Sequence, residues 1–189
     1  MNIVVKPYGG GFSYCRPDTS WERENRDLYT PDRVDRWDWA PIVFVRISKA
    51  GKCVGRKFAS RYYDAFGFGA LLYVGSVEGA TPDAAAASCA DHTSVLPFPL
   101  YNLAVLEGPD NMFKVFRNDE EIYGRDCSEV QAAIEEAICS SSEFVSLRTG
   151  DIVAVELAPK TTLASRAESE IQFKATFCEN EAFGFKILF

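Results

Sequence analysis

The sequence predicts an α+β domain that is mostly β, with two short helices. Three observations carry this. Short runs rich in β-branched and aromatic residues recur along the chain, each bounded by Gly, Asn, Asp or Pro. Only two stretches carry helix start signals. The composition, 47% hydrophobic and 25% charged over 189 residues, is that of one packed globular domain.

The elements follow in order. "MNIVVKPYGGG" reads as a first strand closed by a glycine turn, without the basic, apolar and small-residue order of a signal peptide. Residues 16–39 mix charges of both signs and hold all three tryptophans, Trp21, Trp37 and Trp39. This predicts an irregular arm or lid suited to subunit contact, and so a division into an arm, 1–40, and a main domain, 41–189. Pro41 opens "PIVFVRISK", a strand by its β-branched content, and "RYYDAFGFGALLYVG" is a second strand in which Phe and Gly alternate. Thr81 as N-cap, Pro82 at the first helical position and Asp83 in the first turn begin a helix through the alanine run. Prolines 97 and 99 then force a loop. "NMFKVFRNDEEIYGRD" is a hairpin around its polar centre. Ser128 and Gln131 form a capping box for a second helix of about three turns, whose apolar stripe is Val130, Ala133, Ile134, Ala137 and Ile138. After a turn at Thr149-Gly150 come three further strand segments, ending in "EIQFKATF" and "FGFKILF".

Charge narrows the function classes. A net charge of −7 and a pI near 4.8 argue against nucleic-acid or anionic-membrane binding. Mean hydropathy is −0.10 and no apolar run approaches the ~20 residues of a membrane span, so a cytoplasmic location is expected. One basic cluster, Lys49, Lys52, Arg56, Lys57 and Arg61, is either a solvated loop or an anion contact. Six scattered cysteines read as free thiols in a reducing compartment. Cys89 and His92 could share a helix face, but two ligands do not make a zinc site. Because His92 is the only histidine, any histidine-based nucleophilic scheme passes through it.

The order of pieces in the second half resembles the C-terminal domain of the fumarylacetoacetate hydrolase family. Leu147, Arg148, Gly150 and Asp151 match that family's "tLrpGD" turn after a capped helix, and "SEIQFKATFCENEAFGFKIL" matches its closing strands. "PIVFVRIS" is similar to its "P-x-x-F-x-K-P" strand, with Arg46 at the lysine position. The resemblance covers residues 41–189 and implies a mixed β-roll and a homodimer. It also implies Mg²⁺ or Mn²⁺ held by an E-x-E pair and a later aspartate, acting on a β-dicarbonyl or oxo-acid substrate by hydrolysis, decarboxylation or isomerisation. Hard cations of this kind need oxygen ligands. Aligned in this way, the E-x-E positions fall on Phe66 and Phe68 and the aspartate on or near Pro97, while "VELAP" replaces the family's "TGTP" loop. No metal or other cofactor is therefore expected unless catalysis is retained.

Strand periodicity puts Asp64, Phe66, Phe68, Ala70 and Leu72 on one face. Three readings follow. The family's cavity is filled and serves as core. Alternatively, it is kept as a pocket for a small organic acid or aromatic ligand, lined by Arg46, Phe66, Phe68, Pro97 and Tyr101. Otherwise catalysis has moved to acids and bases elsewhere, with Asp64, Asp91, His92 and Glu156 as candidates. The first two describe a homodimeric binding or structural protein and the third an enzyme of the family type.

Overall fold

Two strands of 13 residues, Val34–Arg46 and Ala65–Val77, pair antiparallel along nearly their whole length and position everything else. The computed structural model describes residues 1–108 and 110–189. In chain order its strands are β1 (Ile3–Lys6), β2 (Tyr14–Arg16), β3 (Trp21–Glu22), β4 (Leu28–Tyr29), β5 (Val34–Arg46), β6 (Ala65–Val77) and β7 (Ser94–Val95). They continue with β8 (Tyr101–Asn102), β9 (Met112–Arg117), β10 (Glu120–Asp126), β11 (Ile152–Glu156), β12 (Thr161–Ser165), β13 (Glu170–Phe177) and β14 (Asn180–Leu188). The helices are α1 (Ala84–Ala87) and α2 (Val130–Phe144). Among the described residues the larger sheet runs β2-β1-β11-β5-β6-β7-β3, with β12 added to β5 and β8 to β6, and the smaller runs β10-β9-β13-β14-β4. The fold is the mostly-β, mixed-sheet roll that the sequence predicts.

Strand parity divides the core into two. Val43 stands opposite Phe68 and Val45 opposite Phe66 on the face turned to the smaller sheet. There they join Phe113, Phe173, Phe177 and Phe183, with Ile134 and Ile138 of α2 closing the cluster. On the reverse face Ile42, Phe44, Leu71 and Tyr73 pack with Ile3, Val5, Ile152 and Ala154. β1 reaches that face by pairing parallel with β11, Val5 beside Ala154, and β2 by pairing antiparallel with β1.

Several local expectations change. The strand expected to open at Pro41 opens at Val34, and Trp37 and Trp39 lie in the core. Asp35 and Arg36 before Trp37, and Asp38 between the two tryptophans, are only partly exposed, so the charge of this segment masks an inward-outward alternation broken by one irregularity at Arg36. α1 is a single turn of four residues capped by Asp83, whose Oδ1 accepts from the Ala86 N–H at 2.8 Å, instead of by Thr81. α2 has 15 residues, and its capping box does not form: Glu129 is the N-cap without a side-chain bond, and the Ser128 N–H donates to Asp126 Oδ1 at 2.8 Å. β12 was not expected, because a five-residue "TTLAS" has too little apolar alternation to announce a strand.

The glycines of "FGFG" answer to neighbours on the reverse face. A Cβ on Gly69 would sit 2.0 Å from the carbonyl oxygen of Val95, where β7 joins β6, and one on Gly67 would sit 2.5 Å from the Phe44 ring. Glycine here lets a backbone and a ring approach closely.

Candidate functional site

Between the two sheets, Phe66 and Phe68 are fully buried and act as packing groups. Phe68 stacks on Phe113 at 4.7 Å between ring centroids and meets Phe177 at 4.5 Å. Phe66 meets Phe68 edge-on at 5.5 Å and Tyr101 at 5.8 Å, and Tyr101 meets Phe177 at 5.0 Å. Each ring buried in such a cluster contributes roughly 1.5–3 kcal/mol from area alone, with about 0.5–1.5 kcal/mol more from ring-ring geometry. The cluster leaves a cleft of about 230 Å³ at its edge, lined by Phe68, Pro97, Tyr101 and the first residues of β14.

Thus Phe66, Phe68, Pro97 and Tyr101 come together, and Arg46 does not join them. It follows Phe44 on the reverse face of β5 and is exposed at the strand end. Asp64 is exposed just before β6. The basic cluster lies on an exposed segment where Lys57 and Arg61 rest against the Phe58 ring.

Glu156 belongs to a different site, on the reverse face at the end of β11. It is 5% exposed, accepts from Tyr73 Oη at 2.5 Å and from the Tyr8 N–H at 2.9 Å, and lies 3.9 Å from Lys160 Nζ. Since the Tyr73 hydroxyl donates its hydrogen bond to the carboxylate, the 2.7 Å contact between Tyr14 and Tyr73 has Tyr14 as donor. Lys160 Nζ stands 3.8 Å over the Tyr73 ring, a cation–π contact. Burial is the main force pushing both phenols up, Tyr14 to about 12 and Tyr73 further, so both stay neutral at ordinary pH. Sequence reasoning singled out Glu156 and missed Tyr14, Arg16, Tyr73 and Lys160. Only the i, i+4 spacing of Glu156 and Lys160 was a signal, and nothing in it brings β2 beside them.

His92 forms a third site. It lies beyond α1, with φ +58°, so the helix face imagined for Cys89 and His92 does not exist. Its Nδ1 is 3.0 Å from Glu22 Oε2, and Glu22 is buried, its other oxygen accepting from the Glu24 N–H at 2.6 Å. His92 and Asp91 line a cavity of about 640 Å³ with Arg26, Leu28, Tyr29 and Trp37. Sequence reasoning named His92 without its partner, because Glu22 comes from a segment read as an irregular arm or lid.

The side chains at the positions that the resemblance gives to the metal ligands do not fit a divalent cation. Phe66, Phe68 and Pro97 offer no oxygen ligand from their side chains. Among the described residues no three His, Cys, Asp or Glu side chains gather as a metal site. In the sequence comparisons no family model and no curated protein matches the chain. Solved structures do match. A fumarylacetoacetate hydrolase family protein of Yersinia pestis CO92 superposes with a TM-score of 0.76 at 15% identity, over 99% of this chain and 92% of that one. The chain has the fumarylacetoacetate hydrolase fold. Fumarylpyruvate hydrolase of Pseudomonas aeruginosa, solved with Mn²⁺ and pyruvate, shares the same fold with a TM-score of 0.76 at 13% identity, over 100% of this chain and 89% of its own. Maleylpyruvate hydrolase of Sphingobium sp. SYK-6 shares it with a TM-score of 0.77 at 12% identity, over 99% and 70%. At these identities the likeness is one of fold. The fumarylacetoacetate hydrolase fold is therefore common ground, and the chemistry of this chain rests on its own side chains.

Proposed function

We propose that this chain is a homodimeric binding protein on the fumarylacetoacetate hydrolase fold, without the metal-dependent catalysis found on that fold. One observation carries the reading: Phe66 and Phe68, at the positions the resemblance gives to two carboxylate ligands, are fully buried in a ring cluster with Phe113 and Phe177. Rings packed at these distances exclude both the ion and the water it would polarise. An exposed pair, Phe12 and Phe144 with centroids 5.2 Å apart, supports the dimer by offering an apolar contact surface. Light scattering on a dimer gives twice the 21.0 kDa of the chain.

A second reading is favoured by His92. A buried carboxylate holding the Nδ1 side of an imidazole at a cavity wall is an arrangement that can orient a general base. In it, His92 would act on a small oxo-acid seated near Arg26. One assay separates the readings. Fumarylpyruvate, maleylpyruvate and oxaloacetate are incubated with the protein, with Mn²⁺ and with chelator. The first reading expects no turnover above the buffer rate in any arm. Turnover lost in His92→Ala and indifferent to chelator would establish the second instead.

A further inference from the structure

The polar cluster on the reverse face of the large sheet holds more positive than negative charge. Arg16 is 2% exposed, and its guanidinium donates only to neutral acceptors: Ser88 O at 3.0 Å, Leu72 O at 2.8 Å and Thr93 Oγ1 at 2.7 Å. Its Nη1 has no partner among the described residues. Burying a charge without a counter-charge is costly. The guanidinium carbon lies 5.0 Å from the centre of the Tyr73 ring, and Lys160 Nζ lies 3.8 Å from the same centre. Two cations therefore lie against one ring. The nearby carboxylate is Glu156, and its two oxygens are already engaged by Tyr73 Oη and the Tyr8 N–H. Lys160 lies outside hydrogen-bond range of it, at 3.9 Å. The tyrosines add no negative charge, since burial keeps both protonated. Two cations against one carboxylate leave an excess of one positive charge.

Tyr14 and Lys160 also form part of the wall of a cavity of about 330 Å³, completed by Cys15, Ser88, Cys89 and the α1 residues Ala84 and Ala85. That volume is at the small end of the range for ligand pockets. The wall is largely apolar, with one ammonium at its edge and a buried guanidinium close behind. Such a space suits a ligand with a compact apolar body and a single negative group. We infer that this cavity binds a small organic monocarboxylate, its carboxylate on Lys160 Nζ and its body against Ala84 and Ala85. The cavity is on the opposite face of the sheet from Phe66 and Phe68, so it stands whether or not the filled space between the sheets is chemically silent.

The test uses the intact protein with three probes, benzoate, hexanoate and 3-phenylpropionate, and with benzamide as the neutral counterpart of benzoate, all at fixed ionic strength. Calorimetry or ligand-observed NMR gives the affinity. Limited alkylation with iodoacetamide, mapped by mass spectrometry, gives the place. The expected result is saturable binding of at least one carboxylate, at least tenfold tighter than any binding of benzamide. It should weaken at least tenfold in Lys160→Met and vanish in Ala85→Trp, which fills the cavity from an exposed helix turn. Bound carboxylate should protect Cys15 and Cys89 from alkylation and leave the exposed Cys53 unprotected. The inference is overturned if no probe saturates, if benzamide binds as well as benzoate, if both variants bind as the parent does, or if binding leaves Cys15 and Cys89 as reactive as before.

Discussion

Tyr73 shows how much of this molecule turns on single atoms. Its hydroxyl is both donor to Glu156 and acceptor for Tyr14, inside a face otherwise packed mostly with apolar groups. Tyr73→Phe removes both bonds and leaves a buried carboxylate short of a donor, which costs about 1–3 kcal/mol. Urea denaturation at pH 7 should show a midpoint lowered accordingly with little change in slope. The raised phenol pKa values give a pH dependence with a definite sign. Tyr14 ionises near 10 when unfolded and at about 12 when folded, so above pH 10 the unfolded state loses the proton first. Its stabilising contribution is whole below pH 10 and is lost as pH rises to about 12. With Tyr73 shifted the same way, stability should fall by about 1.4 kcal/mol per pH unit for each phenol in that window, and less steeply in Tyr14→Phe. Among the thiols, Cys127 is buried and pushed up to about 12 by that burial, so at pH 8 iodoacetamide should spare it while labelling exposed Cys53. Little of this scale was legible beforehand. Glu156 was named as a candidate acid or base in the segment that replaces the family's "TGTP" loop, but its partners depend on β1 inserting between β2 and β11, a pairing across most of the chain.

At the scale of elements, β6 makes opposite demands on its two faces. Its phenylalanines fill one side and its glycines admit a strand and a ring on the other. Phe68→Ala should cost about 3–5 kcal/mol through lost transfer energy and a cavity. Gly69→Ala, a change of one methyl, should still cost about 1–3 kcal/mol because backbone must move away from Val95 O. Thermal melts of the two variants check both figures, and a neutral Gly69→Ala would show that β7 does not approach as described. The alternation of β6, the hairpin β9–β10 and the stripe of α2 were readable because each carries a clean period. β5 was read short because charged residues occupy its half-exposed positions beside Trp37 and Trp39. The caps of both helices were misread because neighbouring aspartates offer rival turns, Asp83 accepting from the Ala86 N–H and Asp126 from the Ser128 N–H, and local sequence does not rank such rivals.

For the whole molecule, the order of pieces outweighed any one motif. A hairpin, a helix, a Gly-Asp turn and two closing strands were enough to anticipate a fold now shared with hydrolases at 12–15% identity. Function was less legible, because it depends on a few side chains whose replacement leaves the fold intact. The central claim is that aromatic packing has taken the place of metal chemistry between the sheets. Its most direct test is the melting temperature measured against Mn²⁺ up to 1 mM, since an ion bound by the folded state alone must raise it by linkage. We predict no rise, in either the parent protein or a chelator-treated control. A rise at sub-millimolar Mn²⁺ that chelator reverses would contradict the account.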